Sequence, residues 1–193
     1  MLDEELCDKG NGIPLQFVAI IAKMLYILAI MILRLCNLST SLSYFLLGPR
    51  QTGKSTLINA RLPADSFSVN LLHRDRFLEL SKDPSLLRRE VNAWLARRPH
   101  TRQVLFIDEI QRLPALLDEI HDLIERYKNL QVILTGSSAR KLKRGGVNLG
   151  GGRLLENHLF PLTVDELGTA FELESVLRFG TLPSLFVTEA EDG

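Results

Sequence analysis

Short apolar runs separated by amphipathic stretches dominate this chain from about residue 44 onward. Consecutive apolar residues occur at 44–47, 104–107 and 132–134. Such runs, without alternating polar residues, are typical of strands that are buried on both faces of a parallel sheet. "SFSVNLL" at 66–72 and "LLENHLFPLT" at 154–163 add a second and a fifth predicted strand. The pattern therefore predicts a mainly parallel five-stranded sheet.

Segments with helical spacing lie between these predicted strands. The stretch 83–99 begins with Asp-Pro, which suits a helix start, and ends at a second proline. Pro114 begins another helix whose apolar residues share one face. Thr163 and Glu166 have the T-x-x-E spacing of a capping box, which predicts a helix that runs to about Leu173. Strands that alternate with helices predict an α/β fold, here a three-layer α/β/α sandwich.

Residues 13–36 are far more apolar than the rest of the chain, with Lys23 and Arg34 as their only charges. A membrane-spanning helix needs about 20 apolar residues, and Lys23 near its centre would cost about 2.5–3.5 kcal/mol, so insertion is marginal. The acidic start "MLDEELCDKG" disfavours a signal peptide, whose first segment is basic. Three interpretations of this predicted apolar helix stay open: a membrane anchor, a helix packed on the domain, or an extension foreign to it.

The stretch "GPRQTGKST" follows the first apolar run directly and matches G-x-x-x-x-G-K-[ST] at every required position. Its glycines allow the backbone to curl around a polyphosphate, and a helix that begins at the second glycine points free N–H groups at the same anion. A glycine turn whose polar residues face water is disfavoured, because a predicted strand precedes the motif and a predicted helix follows it. The candidate nucleotide-binding residues are Gly48, Pro49, Arg50, Gln51, Thr52, Gly53, Lys54, Ser55 and Thr56.

Two side chains of this loop have specific expected roles. Lys54 would reach the β- and γ-phosphates and contribute to catalysis. Ser55 would give its hydroxyl oxygen to Mg²⁺. The loop therefore predicts a site for a nucleotide together with magnesium.

Asp108 and Glu109 follow the apolar run 104–107 directly. Ligands of open α/β sheets bind at the carboxyl ends of the strands. Both acids would therefore lie beside residues 48–56, which we call the phosphate loop. Asp108 would hold Mg²⁺, and Glu109 would orient and deprotonate the attacking water. An apolar run followed by Asp-Glu is a weak signal alone, but together with the phosphate loop it predicts a hydrolytic site.

The third apolar run ends in "TGSS", which places Thr135, Ser137 and Ser138 one strand away from Asp108. Thr135, Ser137 or Ser138 could sense the γ-phosphate or its water, and an ordinary serine N-cap of the following helix is an equal alternative. The glycine-rich basic loop that follows ends near Arg153. It could supply an arginine finger to a neighbouring subunit, contact nucleic acid or remain solvated, and these three interpretations stay open.

Composition narrows the classes of partner and compartment. The 193-residue chain has 23 Lys plus Arg and 23 Asp plus Glu, so no global charge favours nucleic acid or an anionic membrane. Cys7 and Cys36 are its only cysteines and form no C-x-x-C pair, which favours a reducing cytosol over a disulfide framework. We therefore predict a cytoplasmic protein, with a membrane anchor as the alternative that residues 13–36 leave open.

Four stretches together resemble the AAA+ ATPases in order and approximate spacing: "FLLGPRQTGKSTLI", "VLFIDEIQRLP", "VILTGSSARKL" and "GGR…LFPLTVDEL". They are most similar to a prokaryotic group of ATP-binding proteins that joins this ATPase core to a C-terminal winged-helix-like domain. The resemblance implies that 48–56 is the Walker A loop and that Asp108 and Glu109 form Walker B. It also implies that Ser137 or Ser138 is sensor-like and that Arg153 is a candidate arginine finger.

The resemblance divides the chain into an extension at 1–37, an AAA+ core at 38–162 and the start of a lid or C-terminal region at 163–193. Relatives continue beyond "FGTLPSLF", so we expect a chain truncated before its C-terminal domain. A nucleic-acid or protein partner would bind through that missing domain, and relatives often form homo-oligomers. The predicted activity is Mg²⁺-dependent ATP hydrolysis that drives a conformational task.

Two alternatives to ATP hydrolysis remain. A truncated chain could bind nucleotide without turnover. A P-loop kinase is disfavoured because a base placed for water, such as Glu109, promotes wasteful hydrolysis. Phosphate transfer to an acceptor would distinguish the kinase from the ATPase.

Overall fold

The computed structural model describes residues 33–98, 102–137 and 154–187. Apart from Leu33, these residues belong to one unit that begins at Arg34. Five strands form a single parallel sheet in the order β2-β3-β4-β1-β5. The strands are β1 Tyr44–Leu47, β2 Phe67–Asn70, β3 Gln103–Asp108, β4 Leu130–Gly136 and β5 Leu155–His158.

Helices connect these strands on both faces of the sheet. The α-helices of the described segments are α1 Lys54–Asn59, α2 Arg74–Lys82, α3 Ser85–Ala96, α4 Leu116–Arg126, α5 Val164–Leu167, α6 Leu173–Phe179 and α7 Ser184–Val187. Two 3₁₀ turns, Ile110–Arg112 and Gly168–Ala170, follow β3 and α5. The predicted α/β architecture is confirmed for this part of the chain.

Alternate residues of each central strand contribute to two separate hydrophobic cores. Phe45 and Leu47 of β1 pack in the larger core with residues of α3 and α4, whereas Tyr44 and Leu46 pack in the smaller core with residues of α1. Successive side chains of a strand point to opposite faces, so a strand of apolar residues alone serves both cores. Every residue of β1, β3 and β4 is buried, as the apolar runs predict.

Strand order brings the motif-bearing ends together. β4 lies between β1 and β3, with Leu47 opposite Gly136 and Ile107 opposite Leu134. Because all three strands are parallel, the residues that follow them lie at the same edge of the sheet. This edge carries the phosphate loop, Glu109 and Ser137.

The C-terminal helix differs from its sequence prediction. Thr163 and Glu166 form the predicted capping box, with each side chain bonded to the backbone N–H of the other residue. However, α5 ends at Leu167, whereas the predicted helix runs to about Leu173. Gly168, with φ of 53°, follows α5 and takes the chain into a 3₁₀ turn. A new helix, α6, then begins where the predicted helix ends.

The predicted apolar helix at 13–36 lies almost entirely outside the described residues. Its last part, 33–36, is described and has no helical structure. Within 33–98, 102–137 and 154–187, no helix has both the length and the apolar character to cross a membrane. The predicted domain boundaries at 37/38 and 162/163 stay predictions.

Candidate active site

The two glycines of the phosphate loop are required for different reasons. Gly48, at φ of 154°, lies so close to the chain after β5 that an added Cβ would stand 2.0 Å from the Leu159 carbonyl oxygen. Gly53 is the N-cap of α1 at φ of 83°, and an added Cβ would meet nothing within 4 Å. Its left-handed backbone favours glycine, since residues with a Cβ rarely adopt that conformation. A side chain at position 48 would therefore clash with the Leu159 carbonyl, whereas a side chain at position 53 would fit but would strain the backbone.

Hydrogen bonds within the loop fix its shape. Thr52 is fully buried, and its Oγ1 donates to the Pro49 carbonyl at 3.0 Å. Lys54 is 5% exposed, and its ammonium donates to the carbonyls of Gly48 at 3.0 Å and Pro49 at 2.5 Å. Gln51 has a positive φ of 64°, which is uncommon outside glycine. The loop is thus a curled, internally bonded turn that leads directly into a helix N-terminus.

The Lys54 ammonium is partly desolvated. Burial lowers the pKa of its ammonium, and the nearby carboxylates of Glu109 and Asp108 partly offset that effect. An ammonium has three protons, and the two carbonyls of the loop use two of them. The remaining proton and the positive charge suit an incoming phosphate oxygen.

Asp108 receives two hydroxyl donors at the end of β3. Ser55 Oγ donates to Asp108 Oδ1 at 2.9 Å, and Thr135 Oγ1 donates to the same oxygen. Thr135 Oγ1 also accepts the backbone N–H of Glu109 at 3.1 Å. Thr135 is fully buried and Asp108 is 4% exposed. The structure therefore brings together Ser55 and Asp108, the two predicted metal ligands.

Glu109 has an unusual backbone and a held side chain. Its φ of 62° and ψ of 43° place it in the left-handed region, which is uncommon for residues other than glycine and is enriched at functional sites. Its carboxylate Oε2 accepts a hydrogen bond from Gln111 Nε2. The predicted base is thus fixed both through its backbone and through its carboxylate.

Gln111 was not singled out by the sequence patterns. Its amide also donates to Ser137 Oγ at 3.0 Å and accepts the Ser137 backbone N–H at 3.2 Å. Ser137, a predicted sensor, therefore contacts Gln111, which in turn contacts the predicted base Glu109. The stretch "DEIQ" was available as a signal, but no spacing rule links its glutamine to the serine that follows β4.

Arg34 is a second residue that the patterns missed, because they assigned it to the apolar segment. Its guanidinium donates to the carbonyls of Thr52 at 2.6 Å and Phe160 at 2.5 Å, and to Glu166 Oε1 at 2.9 Å. The side chains of Arg34 and Glu166 are 8% and 4% exposed. This buried ion pair joins the phosphate loop to the start of α5, and the partners are 132 positions apart in the chain.

A cavity of about 390 Å³ opens above the phosphate loop and reaches Glu109. Most of the predicted nucleotide-binding residues contribute to it. Its lining residues are Arg50, Gln51, Gly53, Lys54, Ser55, Thr56, Leu72 and Glu109. The cavity therefore combines a cation, a helix N-terminus and a carboxylate, which suits an anionic ligand at which water attacks. Ser138 and the predicted arginine finger, Arg153, lie outside the described residues.

With this geometry established, comparisons with known proteins add a family assignment. The AAA domain family matches residues 41–168. The chain belongs to the AAA domain family. This membership confirms the expected AAA-type P-loop ATPase domain, while the prokaryotic group and the truncated C-terminus stay predictions.

Two further comparisons accompany the family match. The crystal structure of the FIGL-1 AAA domain in complex with ADP is among the solved structures that the chain matches, at 17% identity and a TM-score of 0.47. The alignment covers 65% of this chain and 45% of that one. No curated protein matches the chain. The AAA assignment therefore rests on the family match, which spans β1 to α5 and includes every site residue described above except Arg34.

Proposed function

We propose that this AAA domain binds ATP with Mg²⁺ at the phosphate loop and hydrolyses its terminal phosphoanhydride bond. The observation that carries the proposal is the meeting of four predicted groups at one sheet edge. Lys54, Ser55 and Glu109 line one cavity although they come from two distant stretches of sequence, and Asp108 lies behind them as the acceptor of the Ser55 hydroxyl. Family membership supports nucleotide binding and points to ATPase activity.

Each residue of the site has a proposed role. Lys54 holds a phosphate oxygen, and the N–H groups at the start of α1 bind the same group. Glu109 orients the attacking water and accepts its proton, so the water oxygen bonds to the terminal phosphorus while the bond from that phosphorus to the bridging oxygen breaks and ADP leaves. Arg153 is proposed as a residue that stabilises the developing negative charge.

The donor set fits magnesium. Ser55 and Asp108 offer a hydroxyl and a carboxylate oxygen that already lie 2.9 Å apart beside the cavity. Mg²⁺ prefers oxygen ligands and is commonly held by one or two protein groups together with substrate phosphates and water. When bound, it would neutralise phosphate charge, and Ser55 and Asp108 are the residues that would hold it.

The test is phosphate release from Mg-ATP by the whole chain, measured beside Glu109→Gln and Lys54→Ala. We expect Glu109→Gln to bind ATP but to lose turnover by at least about 100-fold, as loss of a general base implies. We expect Lys54→Ala to lose affinity by about 10-fold or more, since a charged hydrogen bond contributes about 1.5–3 kcal/mol. Exposed Glu174→Gln and Lys82→Ala are matched controls that should retain both properties.

Two results would contradict the hydrolysis proposal. If the parent binds ATP but is as inert as Glu109→Gln, the domain is a nucleotide-binding module without turnover. If phosphate transfer to an added acceptor exceeds phosphate release, the domain is a kinase. The conformational task, the homo-oligomer, a nucleic-acid or protein partner and a cytoplasmic or membrane-attached location stay predictions.

A further inference from the structure

We propose that Gln111 is a positioning residue that holds the Glu109 carboxylate and links it to Ser137 at the end of β4. This inference rests on the proposed function, because it assigns Glu109 as the base. It adds a residue that no sequence motif or family match assigns. Hydrogen bonds join Gln111 to Glu109 and Ser137, and Gly136 leaves space for the Gln111 amide.

The Glu109 side chain can rotate even though its backbone is fixed. Thr135 fixes the backbone of Glu109 through a 3.1 Å hydrogen bond from the Glu109 N–H. A glutamate side chain nevertheless has three rotatable torsions, so a fixed backbone leaves the carboxylate position undetermined. A carboxylate that must hold one water molecule in line for attack therefore needs an anchor of its own.

The second step identifies that anchor. Gln111 Nε2 donates to Glu109 Oε2 and, at 3.0 Å, to Ser137 Oγ. The orientation of the amide is determined, because its Oε1 accepts the Ser137 backbone N–H at 3.2 Å and a flipped amide would place two donors together. The Ser137 backbone, directly after β4, thus directs the NH₂ group toward the carboxylate.

The third step concerns space. An alanine Cβ at Gly136 would stand 2.8 Å from Gln111 Oε1 and 3.3 Å from Leu47 Cδ2. Glycine at this position therefore leaves room for the Gln111 amide against β4. Larger residues would displace the amide from the Ser137 backbone.

The fourth step is chemical. An amide donor is neutral, so it anchors a carboxylate without neutralising the charge that a base needs. The bond uses Oε2 of Glu109, and we assign the other oxygen, Oε1, to the attacking water. Because Gln111 also contacts Ser137, a displacement at the end of β4 would move the base. Through Gln111, the candidate sensor Ser137 would thus influence the position of the base Glu109.

The test compares Gln111→Met, which retains length but has no donor, with the parent chain. We expect turnover at saturating Mg-ATP to fall about 10-fold to 100-fold, since a hydrogen bond to a charged group contributes about 1.5–3 kcal/mol. Affinity for a fluorescent ADP analogue should change less than about threefold. In the Glu109→Gln background, Gln111→Met should cause no further loss of turnover, because the two residues act as one unit.

Gln131→Met is the matched structural control. The Gln131 amide is likewise hydrogen-bonded, here as a donor to the backbone carbonyls of Ser39 and Leu42 at 2.9 Å each, but it lies at the opposite end of β4. It should lower stability without lowering turnover per folded molecule. If Gln111→Met behaves like Gln131→Met, or keeps turnover within about twofold of the parent, Gln111 has only a structural role and the proposal is overturned.

A measurement without hydrolysis separates this proposal from the proposed function. Urea midpoints of Gln111→Met, Glu109→Ala and the double variant report the contact directly in protein without nucleotide. A double variant whose midpoint shift is smaller than the sum of the single shifts supports the hydrogen bond between Gln111 and Glu109, even if the parent fails to hydrolyse ATP. Additive shifts would show that the two side chains do not interact and would overturn the proposal, whatever the activity of the parent.

Discussion

The carboxyl end of the central strands and the segment after β5 are built in opposite ways. At the strand ends, polar side chains such as Thr135 and Lys54 are almost fully buried and bond to one another or to the backbone. After β5, large apolar side chains face outward, with exposed fractions from 57% to 78% at five positions. These are Phe160, Val164, Leu173, Leu177 and Phe179.

The difference shows in which part of the domain the packed core alone fixes the positions of the side chains. The strand ends inherit their positions from a sheet with a core on each face, so their polar groups can be placed closely. The segment after β5 has few buried apolar residues of its own and depends on specific polar ties. One of these ties is the Arg34–Glu166 pair, and another is the 2.8 Å hydrogen bond from Leu162 N–H to the Thr181 carbonyl.

The largest effect should come from breaking the tie between the two regions. Arg34→Met leaves Glu166 buried without its cation, and loss of one partner of a buried pair costs about 3–5 kcal/mol. We expect this loss of unfolding free energy in chemical denaturation, together with weaker nucleotide binding, because Thr52 also loses a donor. Replacing both residues by Met removes the unpaired charge and should recover part of the stability, since the Thr163 and Leu35 N–H groups then lose their acceptor. A double variant as unstable as Arg34→Met would show that the ion pair is not the cause.

A second comparison truncates one leucine in each of the two regions. Leu134 in β4 is fully buried, so Leu134→Ala should lower the unfolding free energy by about 2–5 kcal/mol. Leu177 in α6 is 78% exposed, so Leu177→Ala should change it by less than about 0.5 kcal/mol. Thermal melting of the two variants under identical conditions checks the difference. Equal losses would mean that Leu177 is covered in the whole protein.

A smaller effect is expected at the start of α5. Thr163 Oγ1 accepts the Glu166 N–H at 3.2 Å, and Thr163→Ala removes this cap at a cost of about 1 kcal/mol. Thr163→Ser keeps the hydroxyl and should remain close to the parent. Urea denaturation distinguishes the two, and equal destabilisation by both would assign the effect to the lost methyl group.

The smallest effect should be a pH dependence at Glu166. Burial alone raises the pKa of its carboxyl, but hydrogen bonds from the Thr163 N–H, the Arg34 guanidinium and the Leu35 N–H outweigh burial, so the pKa is lowered from its ordinary value of 4.5. A lowered pKa in the folded state contributes stability above pH 4.5 that is lost as pH falls through the folded value.

Parallel titrations check this sign. The difference in unfolding free energy between the parent and Glu166→Gln should shrink as pH falls from about 6 toward 3. A difference that grows on acidification would contradict the assignment.

The sequence by itself determined the main elements and the turn-and-helix shape of the phosphate loop. Consecutive apolar residues such as 104–107 predict a strand covered on both faces, because only a buried sheet can hide side chains that point both ways. The Gly, Lys and Ser spacing of 48–56 is local, and local spacing survives in the folded chain as a turn and a helix start. The T-x-x-E capping box was visible for the same reason.

Only the tertiary structure decided how these parts act together. Strand order placed β4 between β1 and β3, and that order brought Thr135 to Asp108 and Ser137 to Gln111. Arg34 and Glu166 meet across 132 positions, a separation at which no periodicity or motif carries information. Local propensity reports the shape of short segments, whereas contacts between distant residues depend on how the whole sheet and its helices pack.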